Sequence, residues 1–268
     1  MKSAKKHESF SAPFSTFFVI HFEVGGDIKS LEYQNTFWPA AVDLIKLADR
    51  YDAKLTLQFN PQWAEYIMKN KSNFNLLKKW QKQGHEVGLH HHGYDHGDWN
   101  GYTNRTGKEG DPKFRGNVAD MMKLMRQFVH PYQLLSGTIT DEKSDYPEDI
   151  KYDTEGIQIY HARTKPKRVI LGSIRVIQVG IAFLSFEGDI EGFKYEYIKS
   201  RKDEVFGVVT HEKDFANNPE IIEKWFKFIK SSGDKITTVS EIITNYQKVY
   251  TIEHGGNPLT FLKDVVAL

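Results

Sequence analysis

No cysteine occurs among the 268 residues. That excludes a disulfide scaffold, a Cys-ligated zinc site and a thiol nucleophile. An excess of either charge is also missing. The 36 Lys and Arg stand against 35 Asp and Glu, for a formal net charge of +1. Such a balance creates no basic field and argues against a dedicated nucleic-acid binder. No stretch approaches the ~20 consecutive apolar residues of a membrane span. The apolar run at 17–20 is too short for a signal-peptide core. The expectation is a cytoplasmic protein with no membrane span. What is present is enough apolar material for a sizeable core, at 40% hydrophobic and 13% aromatic residues. Without thiols, any nucleophile, base or metal ligand must come from His, Asp, Glu, Ser, Thr, Tyr or water. Five of the 11 histidines crowd between positions 85 and 96.

Short β-like runs alternate with longer amphipathic ones. Residues 17–23 (FFVIHFE), 54–59 (KLTLQF), 86–92, 134–140, 204–210 and 235–239 read as strands. Residues 158–162 and 169–179 read as two more around a Lys/Pro turn (TKPKR). Helical spacing covers 36–52, the segment after Asn60-Pro61, 117–128, 219–230 and 240–250. This alternation implies a parallel sheet, closed as a barrel or open and doubly wound. In either case ligands sit at the carboxyl ends of the strands.

Three of those ends carry ionisable residues. The first holds His21-Phe22-Glu23 and then Asp27. The third holds His90-His91-His92 and then Tyr94, Asp95 and His96. A late one holds His211-Glu212-Lys213-Asp214. In a barrel all three point at one mouth. His92 and His96 are four apart, so on a turn their imidazoles can converge on one cation. Glu23 would add a carboxylate. Two His and one carboxylate form a catalytic-type metal set with positions left open for water and substrate. Bound Zn²⁺ would bring the pKa of its water to about 7, and His211 across the mouth would serve as general acid. The polar loop 93–116 carries Tyr94, Trp99 and Tyr102, which either stack on a sugar ring or anchor the loop. Trp38, Trp63 and Trp225 read as core, and Asn60 as a helix cap beside the mouth. The lysine-rich stretches 78–82 and 224–230 read as exposed helix faces. His7, His130 and His254 receive no role.

The run GHEVGLHHHGYDH, followed late in the chain by VVTHEKD and ITTVSEI, resembles the polysaccharide deacetylases (NodB-like, carbohydrate esterase family 4). The resemblance spans about residues 17–244. It rests on Gly84-His85-Glu86-Val87-Gly88, on His92 with His96, and on His211 at its strand end. It implies a distorted (β/α)7 TIM-like barrel that hydrolyses N- or O-acetyl groups on sugars with a divalent metal. Zinc is the first expectation, with nickel or cobalt as alternatives. The family's first motif, Thr-Phe-Asp-Asp-Gly, is replaced by His21-Phe22-Glu23-Val24-Gly25. Reading Glu23 as the base leaves Val24 at the metal position, where it cannot ligate. Reading Glu23 as the ligand keeps a complete Glu23–His92–His96 set, with His21 at the base position and Asp27 in reserve. The family's third motif, an Arg followed by Pro-Pro-Tyr, is absent. Residues 134–147 (LLSGTITDEKSDYP) take its place, with Asp141 and Glu142 as substrate-binding candidates beside Tyr94 and Trp99. Arg163 or Arg175 could enter from an inserted hairpin near 156–180.

The resulting expectation is one barrel domain over 1–268 that removes an acyl group from a sugar, a glycan precursor or a sugar nucleotide. Two alternatives stay open. One is a glycoside hydrolase using Glu23 with Asp141 or Glu142. The other is a catalytically inactive, glycan-binding relative. The sequence sets no oligomeric state.

Overall fold

The computed structural model describes residues 15–25, 27, 30–140, 143–156, 159–184, 188–200 and 204–253. Asp141 and Glu142 lie outside them. The central strand β1 (Ser15–Phe22) is apolar on both faces, as a strand covered on both sides must be. It pairs in parallel with β2 (Thr56–Phe59), and β2 with β3 (Glu86–His92). The parallel ladder continues through β4 (Ser136–Thr140), β5 (Tyr152–Glu155) and β8 (Ile174–Gly180). On its other side β1 pairs in parallel with β10 (Val205–His211). After Gly180 the chain passes Ile181 and adds β9 (Ala182–Phe183) to β10. The β8–β9 segment therefore bridges the two sheet edges and closes a ring of seven strand positions. The ring is tight where β8 meets β10. A side chain at Gly207 would collide with the Gly180 carbonyl and the Phe17 ring, so only glycine fits. Strand β11 (Lys235–Thr237) pairs with the first residues of β1.

Helices α1 (Glu32–Arg50), α2 (Pro61–Lys69), α3 (Lys71–Lys82) and α4 (Val118–Val129) follow the first three strands. Helices α5 (Ile190–Ser200), α6 (Glu212–Asn217), α7 (Pro219–Ser231) and α8 (Val239–Glu253) accompany the late ones. The outer core lies between sheet and helices and includes Phe18, Ile20 and Phe22 of β1. The alternate residues Phe17 and Val19 face the barrel interior. There they meet Val179, Val205 and Val209, and Val239, Ile242 and Ile243 of α8. The architecture is a distorted (β/α)7 barrel, as the resemblance implies.

Three sequence expectations change. Residues 159–162 form a 3₁₀ turn, not a strand. The run 169–179 is broken by Gly172, whose φ of +60° turns β7 (Lys167–Leu171) back onto β8 as an antiparallel hairpin. Strand β8 belongs to the ring itself, so the excursion from the barrel is the preceding 3₁₀ turn with β6 (Arg163–Thr164) and β7. Among the described residues no helix is long and apolar enough to cross a membrane.

The Gly-His-Glu motif works at the amino-terminal end of the barrel. His85 Nδ1 accepts the Leu55 N–H at 3.1 Å, and its Nε2 lies 3.3 Å from Asp49. Glu86 accepts from the Thr56 hydroxyl at 3.0 Å, from the Ser240 N–H at 3.1 Å and from the Ser240 hydroxyl. Glu86 is thus an acidic cap at the start of α8. Two of the family-like sequence runs, GHEVG and ITTVSEI, touch each other here and hold the barrel shut.

Candidate functional site

At the opposite end of β3 the same run turns chemical. Strand side chains alternate between faces, so His90 and His92 point into the barrel mouth and His91 points away. His91 is buried on the outer side, with Nδ1 2.9 Å from Asn100 Oδ1 and Nε2 3.7 Å from Asp145. Asp145 in turn accepts from the Asn104 N–H and the Thr103 hydroxyl, which ties the polar loop to the barrel wall.

Inside the mouth, the Nε2 atoms of His90 and His92 are 2.8 Å apart. The Glu23 carboxylate, from the end of β1, lies 3.7 Å from each. His211, at the end of β10, reaches the same carboxylate with Nε2 at 3.0 Å and holds Asp214 with Nδ1. His21 stacks on His90 with ring centroids 4.1 Å apart, and its Nε2 lies 3.3 Å from the Thr138 hydroxyl. Below it, Thr138, Gln58 and Thr154 form a buried hydrogen-bonded floor. Phe183 stacks on His211 and forms an apolar wall. The cavity has a volume of about 870 Å³ and reaches on to Tyr146, Asp153, Glu155 and Gln178.

The protonation pattern is polarised. Burial would raise the Glu23 pKa, but the hydrogen bond from His211 and the nearby His90 and His92 hold it well below the usual carboxylate range. Burial would also depress His211. Its hydrogen bonds to Asp214 and Glu23, with their charges, outweigh that and raise it to about 9. His92 is lowered to about 2 by burial first and by His90 second. His21 is lowered well below its ordinary value by burial, with His90 and His211 adding to it. Glu212, behind Glu23, is raised to about 8 by burial. Glu23 and His211 are thus biased toward a carboxylate–imidazolium pair, beside His21 and His92 biased toward the neutral form.

This donor set suits a divalent cation. The backbone carbonyl of Asp98 lies 3.1 Å from His92 Nδ1 and accepts a hydrogen bond from its N–H, which leaves the Nε2 lone pair facing Glu23. Tetrahedral ligands at 2.0–2.1 Å from a metal would stand roughly 3.3 Å apart. The observed 2.8 and 3.7 Å bracket that spacing. His21, Glu23 and His90 form one group of close donor atoms, and His92, His96 and Asp98 form another.

No family model and no curated protein matches the sequence. Solved structures do match the fold. One is a probable polysaccharide deacetylase from Pseudomonas aeruginosa PAO1, at TM-score 0.60 and 11% identity over 91% of this chain and 93% of that one. Another is a peptidoglycan deacetylase from Bacillus subtilis, at TM-score 0.51 and 10% identity over 90% and 95%. The fold is that of the polysaccharide deacetylases. It extends to a 4-α-glucanotransferase from Thermococcus litoralis, at TM-score 0.56 and 14% identity. That match takes in 87% of this chain but only 40% of the transferase.

The expected residues divide on this frame. His21, Glu23, His92, His96 and His211 all line the cavity. Of the expected Glu23–His92–His96 set, Glu23 and His92 lie 3.7 Å apart, and His92 groups with His96 and Asp98. His96 stacks beside His92 on the loop side, while His90 joins His92 at 3.7 Å from the Glu23 carboxylate. The reason is local: β3 runs through His92, so residues two apart converge where a helical turn would have used residues four apart. Asp27 is exposed and away from the cavity lining. Trp99 is buried, donates its indole N–H to the Tyr102 carbonyl at 2.9 Å, and anchors the loop. Tyr94 packs edge-on against Trp99 under the Lys108 ammonium and also lies off the lining. Arg163 is paired with Glu196 and Glu204, and Arg175 is exposed on the hairpin. Arg105, held by Asp95, and Lys213 also line the mouth. Sequence reasoning missed His90 as a site residue, although strand alternation through HHH would have found it. It also missed Asp214 as the partner of His211.

Proposed function

We propose that this chain is a metal-dependent hydrolase that removes an acyl group, acetyl first, from a sugar or glycan precursor. The carrying observation is the convergence of Glu23, His90 and His92 beside the His211–Asp214 pair at the mouth of a deacetylase-type barrel. Glu23, His90 and His92 would hold the cation, with His96 flanking His92. A divalent cation bound there supplies Lewis acidity and a water of lowered pKa.

The remaining steps belong to the chain. His21, neutral and in reach of the Thr138 hydroxyl, takes the proton of the attacking water. Asp214 fixes the His211 ring through Nδ1 and stabilises its imidazolium form. His211 then gives its Nε2 proton to the departing amine or alkoxide. Phe183 and Ile181 offer an apolar wall for a short acyl group, and the cavity of about 870 Å³ leaves room for a sugar ring.

The test is elemental analysis of protein refolded with Zn²⁺, Ni²⁺ or Co²⁺, followed by acetate release from acetylated chito- and xylo-oligosaccharides with and without chelator. The expected result is about one ion per chain and chelator-sensitive acetate release. A chain that stays metal-free would sink the proposal. Chelator-insensitive glycosidic cleavage lost on Glu23→Gln would replace it with the glycosidase reading.

A further inference from the structure

The backbone at Phe22 and Glu23 is held from behind by three side chains. Its N–H donates to the fully buried Glu212 carboxyl at 3.3 Å, at the start of α6. Its carbonyl accepts the indole N–H of Trp63, on α2, at 2.9 Å. The preceding carbonyl, of Phe22, accepts the side-chain amide of Asn60, at the end of β2, at 2.8 Å. All three side chains are fully buried. Asn60 simultaneously caps α2 through Trp63 N–H, so the cap and the tether are one residue. Just beyond, Gly25 sits at a φ of +79° against Tyr33, where a Cβ would lie 2.7 Å from the Tyr33 side chain. The turn therefore packs flat against α1.

We infer that Glu212, Trp63 and Asn60 are positioning residues that fix the Glu23 peptide so that its carboxylate stays aimed at the His90 and His92 nitrogens. A glutamate side chain has enough freedom to swing away from a cation, and a clamped peptide removes the backbone part of that freedom. Groups that orient a metal ligand from behind typically contribute tenfold to a hundredfold in affinity. The clamp also accounts for a Glu beyond the strand end: the tethers begin where the β1 ladder stops. This inference rests on Glu23 being a metal ligand, as proposed above.

The test is Zn²⁺ and Co²⁺ affinity by titration calorimetry on the full chain, with folding checked by circular dichroism. Glu212→Gln keeps an oxygen to accept the Glu23 N–H and should bind within about threefold of the parent. Glu212→Leu, of similar size, lacks the acceptor and should bind roughly tenfold to a hundredfold more weakly. Trp63→Phe removes a donor and should weaken binding in the same direction. Asn60→Asp keeps the α2 cap, loses the amide donor and should do likewise. If Glu212→Leu fails to fold, the Trp63 and Asn60 variants decide. Equal affinities for the Gln and Leu variants, or parent-like affinity for Trp63→Phe and Asn60→Asp, would overturn the clamp. Glu23→Ala is run in parallel. Unchanged metal affinity in that variant would instead remove the ligand assignment on which the clamp depends.

Discussion

The two ends of strand β3 are built from one continuous run, GHEVGLHHH, and they do opposite things. At the amino end, His85 and Glu86 find hydrogen-bond partners, and α8 starts on Glu86. At the carboxyl end, His90 and His92 face each other and Glu23, with His90 Nδ1 buried and unpartnered among the described residues. Buried polar groups are ordinarily satisfied, so the first end reads as stability. The second reads as a place kept ready for something else. Similarity in a motif is therefore not evidence that all of it is catalytic.

The sharpest break in the comparison is His211→Ala. Loss of a general acid should lower kcat by roughly 10²–10⁴ while bound metal is retained. Rates measured alongside elemental analysis check this, and metal loss in parallel with activity would blur the two roles. Next comes Glu86→Ala at the other end. Losing a carboxylate that accepts from Thr56 and twice from Ser240 should cost about 2–4 kcal/mol in chemical denaturation. Turnover per folded molecule should stay unchanged.

A third prediction uses pH. Burial pushes Asp153 up to about 7 from its ordinary 3.8, against hydrogen bonds from Gln178 and Tyr146. Between those values the unfolded chain loses this proton first. Stability from this group is thus full below pH 3.8, falls as pH rises, and levels off above about 7. Asp153→Asn should flatten that fall, a difference on the order of a few kcal/mol. Denaturation midpoints at pH 4 and pH 8 would measure it. Trp99→Phe is the smallest effect expected. It should cost about 1 kcal/mol through the lost bond to Tyr102, with sugar binding unaltered. Weakened binding of an oligosaccharide would return Trp99 to the substrate.

The central strands were readable as apolar runs buried on both faces, and the helices as amphipathic runs with cap residues. Strand β5 was not. Its sequence, YDTE, turns Thr154 to the polar floor and Asp153 to Gln178 and Tyr146, so neither face carries the hydrophobic signal. Helix α5 was missed for a related reason. It buries Phe193 and Tyr197 but exposes Tyr195 and Ile198, which blurs its stripe. At the site, the three strand ends and their shared mouth were legible from chain order. His90 was not, because the four-residue spacing of His92 and His96 masks the strand alternation that turns His90 and His92 to one side.

The most direct measurement is the Zn²⁺ dissociation constant of the parent and of the single variants Glu23→Ala, His90→Ala, His92→Ala and His96→Ala. With Glu23, His90 and His92 as ligands, each of those three changes should weaken binding by more than roughly a hundredfold, beyond what supporting residues contribute. His96→Ala should stay within about tenfold. Parent-like affinity in His90→Ala together with lost binding in His96→Ala would contradict the account.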